Sequence, residues 1–215
     1  MRIINAAAAD TYAVGIDEHE LLVTHVDGPA VEPVAVDTFE IGMGERYDVV
    51  VEVQSPGRWP IRIAHVDSET PPGRAILDYD GTDGGGTEGE IGSRRIQLSN
   101  LHSIDSLAGI EGTPDRTVDL TLSGGPMGED EWTIDGQAYP DADPIPIAAG
   151  EHVRFRMRNR SPMRHPMHLH GHHFAVGDAV KDTVVVSGHM GGSDDRFRRG
   201  EPRRVVLPLS SHQSV

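Results

Sequence analysis

Short stretches rich in Val and Ile, each bounded by Gly or Pro, recur along this chain in the way that is typical of β-strands. In the first half of the chain this pattern predicts five strands, at residues 20–24, 31–36, 45–53, 58–64 and 73–79. From residue 116 the pattern resumes, and Val153, Phe155 and Met157 then alternate with arginines, so one face of that strand is expected to lie in a core. The chain is therefore expected to be all-β and to form two β-sandwiches.

Between the two sandwiches the chain changes character. Residues 80–92 contain three consecutive glycines and many polar side chains, and this composition predicts a flexible linker that does not pack. Residues 98–112 are expected to form a short helix or a loop. The predicted organisation is a first sandwich at 1–80, a Gly-rich linker and connecting segment at 81–115, and a second sandwich at 116–215.

Charge narrows the range of partners. The 215 residues include 34 acidic and 19 basic side chains, for a formal net charge of −15, which argues against binding to nucleic acids or to anionic membranes. Lys181 is the only lysine, and a chain rich in acids and poor in Lys indicates a halophilic-type acidic surface, with an ordinary acidic protein as the alternative. No signal-peptide pattern or apolar run of about 20 residues is present, and the localisation stays undetermined.

The candidate chemistry lies in the sequence HPMHLHGHH, at residues 165–173. Because side chains alternate faces along a strand, His168 and His170 can point the same way and share one metal cluster. His165 lies an odd number of positions from His168, and Pro166 disturbs the strand between them, so its imidazole is expected to serve a separate site on the other face. Imidazole binds copper, zinc, iron and nickel, and the ligand type does not choose among them.

Several metalloprotein classes can be compared with this stretch. A metallo-β-lactamase-like hydrolase needs an Asp at the position of His172, and a cupin needs a Glu ligand soon after its H-x-H pair. A structural zinc site normally takes four protein ligands, whereas two or three are available here. These comparisons disfavour all three classes, and a solvated histidine-rich loop is the remaining plain alternative.

The stretch resembles the H-P-x-H-L-H-G-H element of the laccase-like multicopper oxidases. Further segments resemble the second and third domains of that family in the same order: Arg2 to Ala6, His25 to Pro33, Gly44 to Val51, Pro56 to Trp59, Trp132 to Pro140 and Lys181 to Val184. The resemblance implies two cupredoxin-like Greek-key sandwiches and copper as the cofactor. It also implies that His165 is a type 1 (blue) copper ligand, that His168 binds the type 2 copper, and that His170 binds one of the type 3 pair.

The sequence also departs from the family pattern. Family members carry an H-C-H element whose Cys is the thiolate ligand of the blue copper, but this chain has no Cys, and the resemblance ends after Pro208. The H-x-H pairs of the family's first domain are absent as well. The resemblance thus implies a chain truncated at both ends, with each sandwich incomplete.

The family oxidises phenol-like or metal-ion substrates by one electron at a time and reduces dioxygen, and the native substrate is not determined by this sequence. The expected function is a copper-binding fragment of such an oxidase, inactive alone. The alternative is a non-catalytic copper-binding module or subunit that a partner chain completes with the missing strands.

Overall fold

The computed structural model describes residues 1–53, 56–79, 89, 91–105, 112–125, 131–188 and 203–207. In these residues the secondary structure consists of β-strands and one short 3-10 helix, Leu98–Asn100. None of the helical structure described there is long and apolar enough to cross a membrane. The chain divides into two compact units, Met1–Asp105 and Ser106–Val215. The all-β fold that the sequence predicts is therefore confirmed.

The first unit contains eight described strands in two antiparallel sheets. They are β1 Arg2–Ile4, β2 Tyr12–Ile16, β3 Leu21–Val26, β4 Ala30–Val36, β5 Thr38–Ile41, β6 Arg46–Val51, β7 Arg58–His65 and β8 Gly73–Asp78. One sheet has the order β1-β6-β3-β4 and the other has the order β5-β2-β7-β8. Leu21, Val23 and Phe39 are fully buried at 0% exposure. The rings of Phe39 and Tyr47, which belong to different sheets, lie with their centroids 4.7 Å apart, so the two sheets form a sandwich.

Part of the segment expected to be an unpacked linker lies against this first unit. The amide of Gly89 donates to the Asp17 carboxylate at 3.1 Å, and the amide of Arg94 donates to the Asp37 carboxylate at 2.8 Å. A Cβ atom at Gly92 would lie 2.2 Å from Asp37 Oδ2, so only glycine allows this close approach. The prediction that residues 80–92 do not pack is therefore wrong for Gly89 and Gly92. At Gly92 the absence of a side chain lets the backbone approach Asp37 closely, instead of making the segment flexible. The triple glycine lies outside the described residues.

The second unit also contains eight described strands. They are β9 Arg116–Ser123, β10 Thr133–Ile134, β11 Val153–Asn159, β12 His165–His168, β13 Phe174–Val176, β14 Ala179–Lys181, β15 Thr183–Val186 and β16 Arg203–Leu207. Six of them form a sheet in the order β10-β9-β11-β16-β13-β14, and β12 pairs with β15 in a sheet of two. In β11, Val153, Phe155 and Met157 are each at most 8% exposed, which confirms the predicted core face.

Candidate metal centre

Strand β12 carries the first two histidines of the motif. It runs antiparallel to β15, with His165 opposite Val186 and His168 opposite Thr183. Exposure alternates along the strand: His165 and Met167 are half-buried, whereas Pro166 and His168 are exposed. The strand therefore places His165 and His168 on opposite faces, as period-two geometry requires.

The ring of His168 is held by one of its two nitrogens. Its Nδ1 lies 2.8 Å from the backbone carbonyl oxygen of Asp182 and 3.1 Å from Thr183 Oγ1. A carbonyl oxygen only accepts, so Nδ1 carries the proton and donates it. The lone pair is then on Nε2, and 42% of the side chain is exposed. This tautomer is the one that leaves a nitrogen ready to bind a metal, and metal-binding histidines are commonly oriented in this way.

His170 lies next to His168, just beyond the end of β12. The two ring centroids are 4.9 Å apart at an interplanar angle of 67°. Gly171 follows with a φ of +75°, a left-handed conformation that glycine adopts without strain, and the chain turns here toward β13. The structure therefore brings together two of the three histidines that the sequence singled out.

His165 has different surroundings from this pair. Its ring packs edge-on against the indole of Trp132, with centroids 4.8 Å apart, and its Nε2 lies 2.7 Å from Ser161 Oγ. Burial lowers the pKa of His165, because a half-buried site disfavours the charged imidazolium. The ring is thus neutral near pH 7, which is the form that binds a metal.

The candidate ligands do not form a closed metal site in the part of the chain that the structure describes. Across those stretches of the chain, no three His, Asp or Glu side chains are grouped closely enough to hold a metal ion. The His168–His170 pair supplies two imidazoles, and His165 supplies a third on the other face of the strand. Neutral imidazoles fit copper, and a blue copper site needs in addition a thiolate, which the sequence lacks.

Sequence reasoning missed the side chains that surround these histidines. It quoted Asp182 and Thr183 only as a family motif and gave no role to Ser161 or Trp132. The contact between Trp132 and His165 joins residues far apart in sequence, and no local pattern announces it. Ser161 lies four positions before His165, and no sequence pattern indicates that its hydroxyl contacts the histidine ring.

Two all-β units, with an exposed His-x-His pair at a strand end of the second, are consistent with a cupredoxin-like fold. Profiles described as multicopper oxidase match residues 1–82 and 111–201, which together cover most of the chain. The chain belongs to the multicopper oxidase family. Copper is accordingly the cofactor of the family to which this chain belongs.

Named relatives agree with this assignment. The multicopper oxidase MmcO of Mycobacterium tuberculosis (strain ATCC 25618 / H37Rv) is 34% identical over 199 residues, 86% of this chain and 38% of that protein. A copper resistance protein A homolog of Pseudomonas syringae pv. tomato is 43% identical over 58 residues, 27% of this chain and 10% of that protein.

Among solved structures, the laccase from Botrytis aclada superposes with a TM-score of 0.73 at 19% identity, covering 98% of this chain and 46% of the laccase. At this identity the likeness shows the cupredoxin-like fold. The chain spans less than half the length of each of these three proteins.

Proposed function

We propose that this chain is the copper-binding portion of a laccase-like multicopper oxidase. In this proposal His165 is a ligand of a type 1 copper, while His168 and His170 belong to the type 2 and type 3 coppers. Copper, when bound, supplies one-electron redox chemistry, which in the family couples oxidation of a phenol-like or metal-ion substrate to reduction of dioxygen.

The observation that carries the proposal is the state of the His168 ring. Its Nδ1 proton is donated to the Asp182 carbonyl, and this leaves Nε2 as a lone-pair donor on the exposed side, beside the ring of His170. The half-buried, neutral His165 on the opposite face supports a second, separate site.

The same proposal includes a limit on activity. A blue copper site takes two imidazoles, a thiolate and a weak axial ligand, and these 215 residues contain no Cys. We therefore propose that this polypeptide by itself binds copper without catalysing substrate oxidation. A second polypeptide that supplies the thiolate and further histidines would complete the sites.

Copper titration of the purified chain tests the proposal. Copper(II) added to the metal-free protein is expected to give an electron paramagnetic resonance spectrum of a nitrogen-ligated type 2-like site. The intense visible band of a copper–thiolate bond is expected to be absent. H168Q and H170Q should each weaken binding by about 10-fold or more, as expected when one of few ligands is removed.

H25Q is the matched control, because His25 lies in the first unit, where its Nδ1 contacts the neighbouring Thr24 hydroxyl at 3.0 Å. It should leave copper binding unchanged. Equal affinity in H25Q, H168Q and H170Q would contradict the proposed ligands. Oxidation of a phenolic substrate well above the rate of free copper would contradict the proposed lack of activity.

A further inference from the structure

The hydroxyl of Ser161 lies at the centre of a small hydrogen-bonded cluster beside His165. Ser161 is 2% exposed, and its Oγ contacts three groups: the Met163 carbonyl at 3.1 Å, the Met163 amide at 3.3 Å and His165 Nε2 at 2.7 Å. A serine hydroxyl has one proton to donate and two lone pairs to accept with. All three contacts can therefore be hydrogen bonds at once.

The direction of each bond follows from the partners. The Met163 carbonyl only accepts and the Met163 amide only donates, so Oγ gives its proton to the first and takes one from the second. The third contact is then filled when His165 Nε2 donates its proton to Oγ. In the reverse arrangement Oγ donates its only proton to Nε2, and no proton is left between Oγ and the Met163 carbonyl oxygen, which lie 3.1 Å apart.

A second side chain holds this cluster in place. Asn159, at the end of β11 and 8% exposed, accepts a hydrogen bond from the Ser161 amide at 2.9 Å through its Oδ1. Its Nδ2 donates to the Met163 carbonyl at 2.6 Å and to the Val186 carbonyl at 3.1 Å. Val186 lies opposite His165 in the paired strands. The loop between β11 and β12 is thus fastened to the same strand pair that carries the histidine.

We propose that Ser161 is a positioning residue that holds His165 with its proton on Nε2 and its lone pair on Nδ1. The edge-on contact with Trp132 restricts the tilt of the same ring. The relevance of this orientation to copper rests on the proposed function, in which His165 is a copper ligand; Nδ1 is then the ring nitrogen that binds the metal. His168, three residues further on, is held in the opposite sense, with its proton on Nδ1.

Nuclear magnetic resonance of the metal-free, ¹⁵N-labelled full chain tests this role. At about pH 8 a histidine ring is neutral, and long-range proton–nitrogen correlations then show which ring nitrogen carries the proton. H165Q assigns the signals of His165. We expect an Nε2–H signal that exchanges slowly with solvent, because its proton is bonded to a buried oxygen.

The variants are S161A, S161T and S123A. S161A is expected to speed exchange of the Nε2 proton by about tenfold, which is the loss of one ordinary hydrogen bond. S161T keeps a hydroxyl and should restore slow exchange. S123A is the matched control, since Ser123 Oγ bonds Thr133 in the same unit at 2.9 Å and does not touch His165. A thermal melt of each variant establishes that it is folded.

Three outcomes separate this inference from the proposed function. A proton on Nδ1 in the parent chain, or unchanged exchange in S161A, overturns the role of Ser161. A slow Nε2 proton that depends on Ser161, together with broadening of the His165 signals by added copper(II), supports both ideas. The same proton behaviour with no effect of copper(II) on His165 supports the role of Ser161 and contradicts His165 as a copper ligand.

Discussion

The carboxylate of Asp17 allows a direct test of how the first unit is stabilised. Its side chain is 0% exposed, and it accepts hydrogen bonds from Arg62 Nε at 2.6 Å and from the Gly89 amide at 3.1 Å. The Arg62 side chain, in contrast, is 39% exposed. Because one partner is buried and the other reaches solvent, we expect the two single substitutions to differ in their cost.

R62Q removes the charge that compensates a buried carboxylate. Breaking a buried ion pair in this way costs about 3–5 kcal/mol, and the Gly89 amide and nearby solvent reduce the expectation here to about 3 kcal/mol. D17N keeps the shape of the side chain and removes its charge, while the freed guanidinium can be hydrated at the surface. We therefore expect D17N to cost about 1.5 kcal/mol.

Urea unfolding followed by Trp59 fluorescence measures both values. The chain has two tryptophans, so a W132F background makes the signal report on the first unit, where Trp59 is 8% exposed. The difference in midpoint multiplied by the slope gives the change in the free energy of unfolding. A cost of D17N equal to or larger than that of R62Q would refute the reasoning from unequal burial.

The same pair predicts how stability depends on pH. The Arg62 guanidinium lowers the pKa of Asp17 below its ordinary value, against the opposing effect of burial. A carboxyl whose pKa is lower in the folded state stabilises the fold above its unfolded pKa of about 3.9, and this contribution is lost as the pH falls through the folded pKa. D17N should therefore flatten the fall in stability below about pH 4. An equally steep fall in D17N would show that other carboxylates cause it.

Three further predictions concern packing, salt and the ring of His168. G92A should lower the free energy of unfolding by about 1–2 kcal/mol in the same urea assay, because its Cβ would lie 2.2 Å from Asp37 Oδ2. G73A is the control: its Cβ would meet nothing closer than 3.9 Å, so the free energy of unfolding should change by less than about 0.5 kcal/mol. Raising NaCl from about 0.1 M to about 2 M should raise the thermal midpoint, since salt screens the repulsion behind a net charge of −15, and a falling midpoint would contradict this. T183V should weaken copper binding less than H168Q does, because the Asp182 carbonyl continues to hold Nδ1 at 2.8 Å; equal effects would give the hydroxyl the larger role.

The core strands could be predicted from the sequence because their composition is decisive. Short apolar runs between turns identify β3, β4, β6, β7 and β8 to within two residues at either end. β2, Tyr12–Ile16, was missed because it contains Gly15, and glycine in a strand usually weakens it. Here the missing side chain has a purpose: a Cβ at Gly15 would lie 3.0 Å from the side chain of Ile91.

The candidate site could be predicted only in part, because some of its features depend on local sequence and others on contacts between distant residues. Alternation along a strand is a local property, so the opposite faces of His165 and His168 follow from counting positions. The partners that fix each ring are distant in sequence. Trp132, just before β10, packs against His165, and the carbonyl of Asp182, just before β15, accepts a hydrogen bond from His168. A backbone carbonyl, moreover, has no residue type by which a sequence could reveal it.

Pro166 lies in β12 between His165 and His168, the two histidines on opposite faces of the strand. It lacks an N–H to donate, and β12 tolerates it because, among the described strands, β12 pairs only with β15 and has no second neighbour. An extended strand advances about 3.3 Å per residue, so the backbone positions of His165 and His168 lie roughly 10 Å apart along it. In the proposed function, one short strand therefore fixes the separation of two copper sites, and its two faces present different ring nitrogens to them. A change that bends this strand, such as a residue inserted between the two histidines, would alter both sites at once, whereas changes at Ser161 or Thr183 would affect one each.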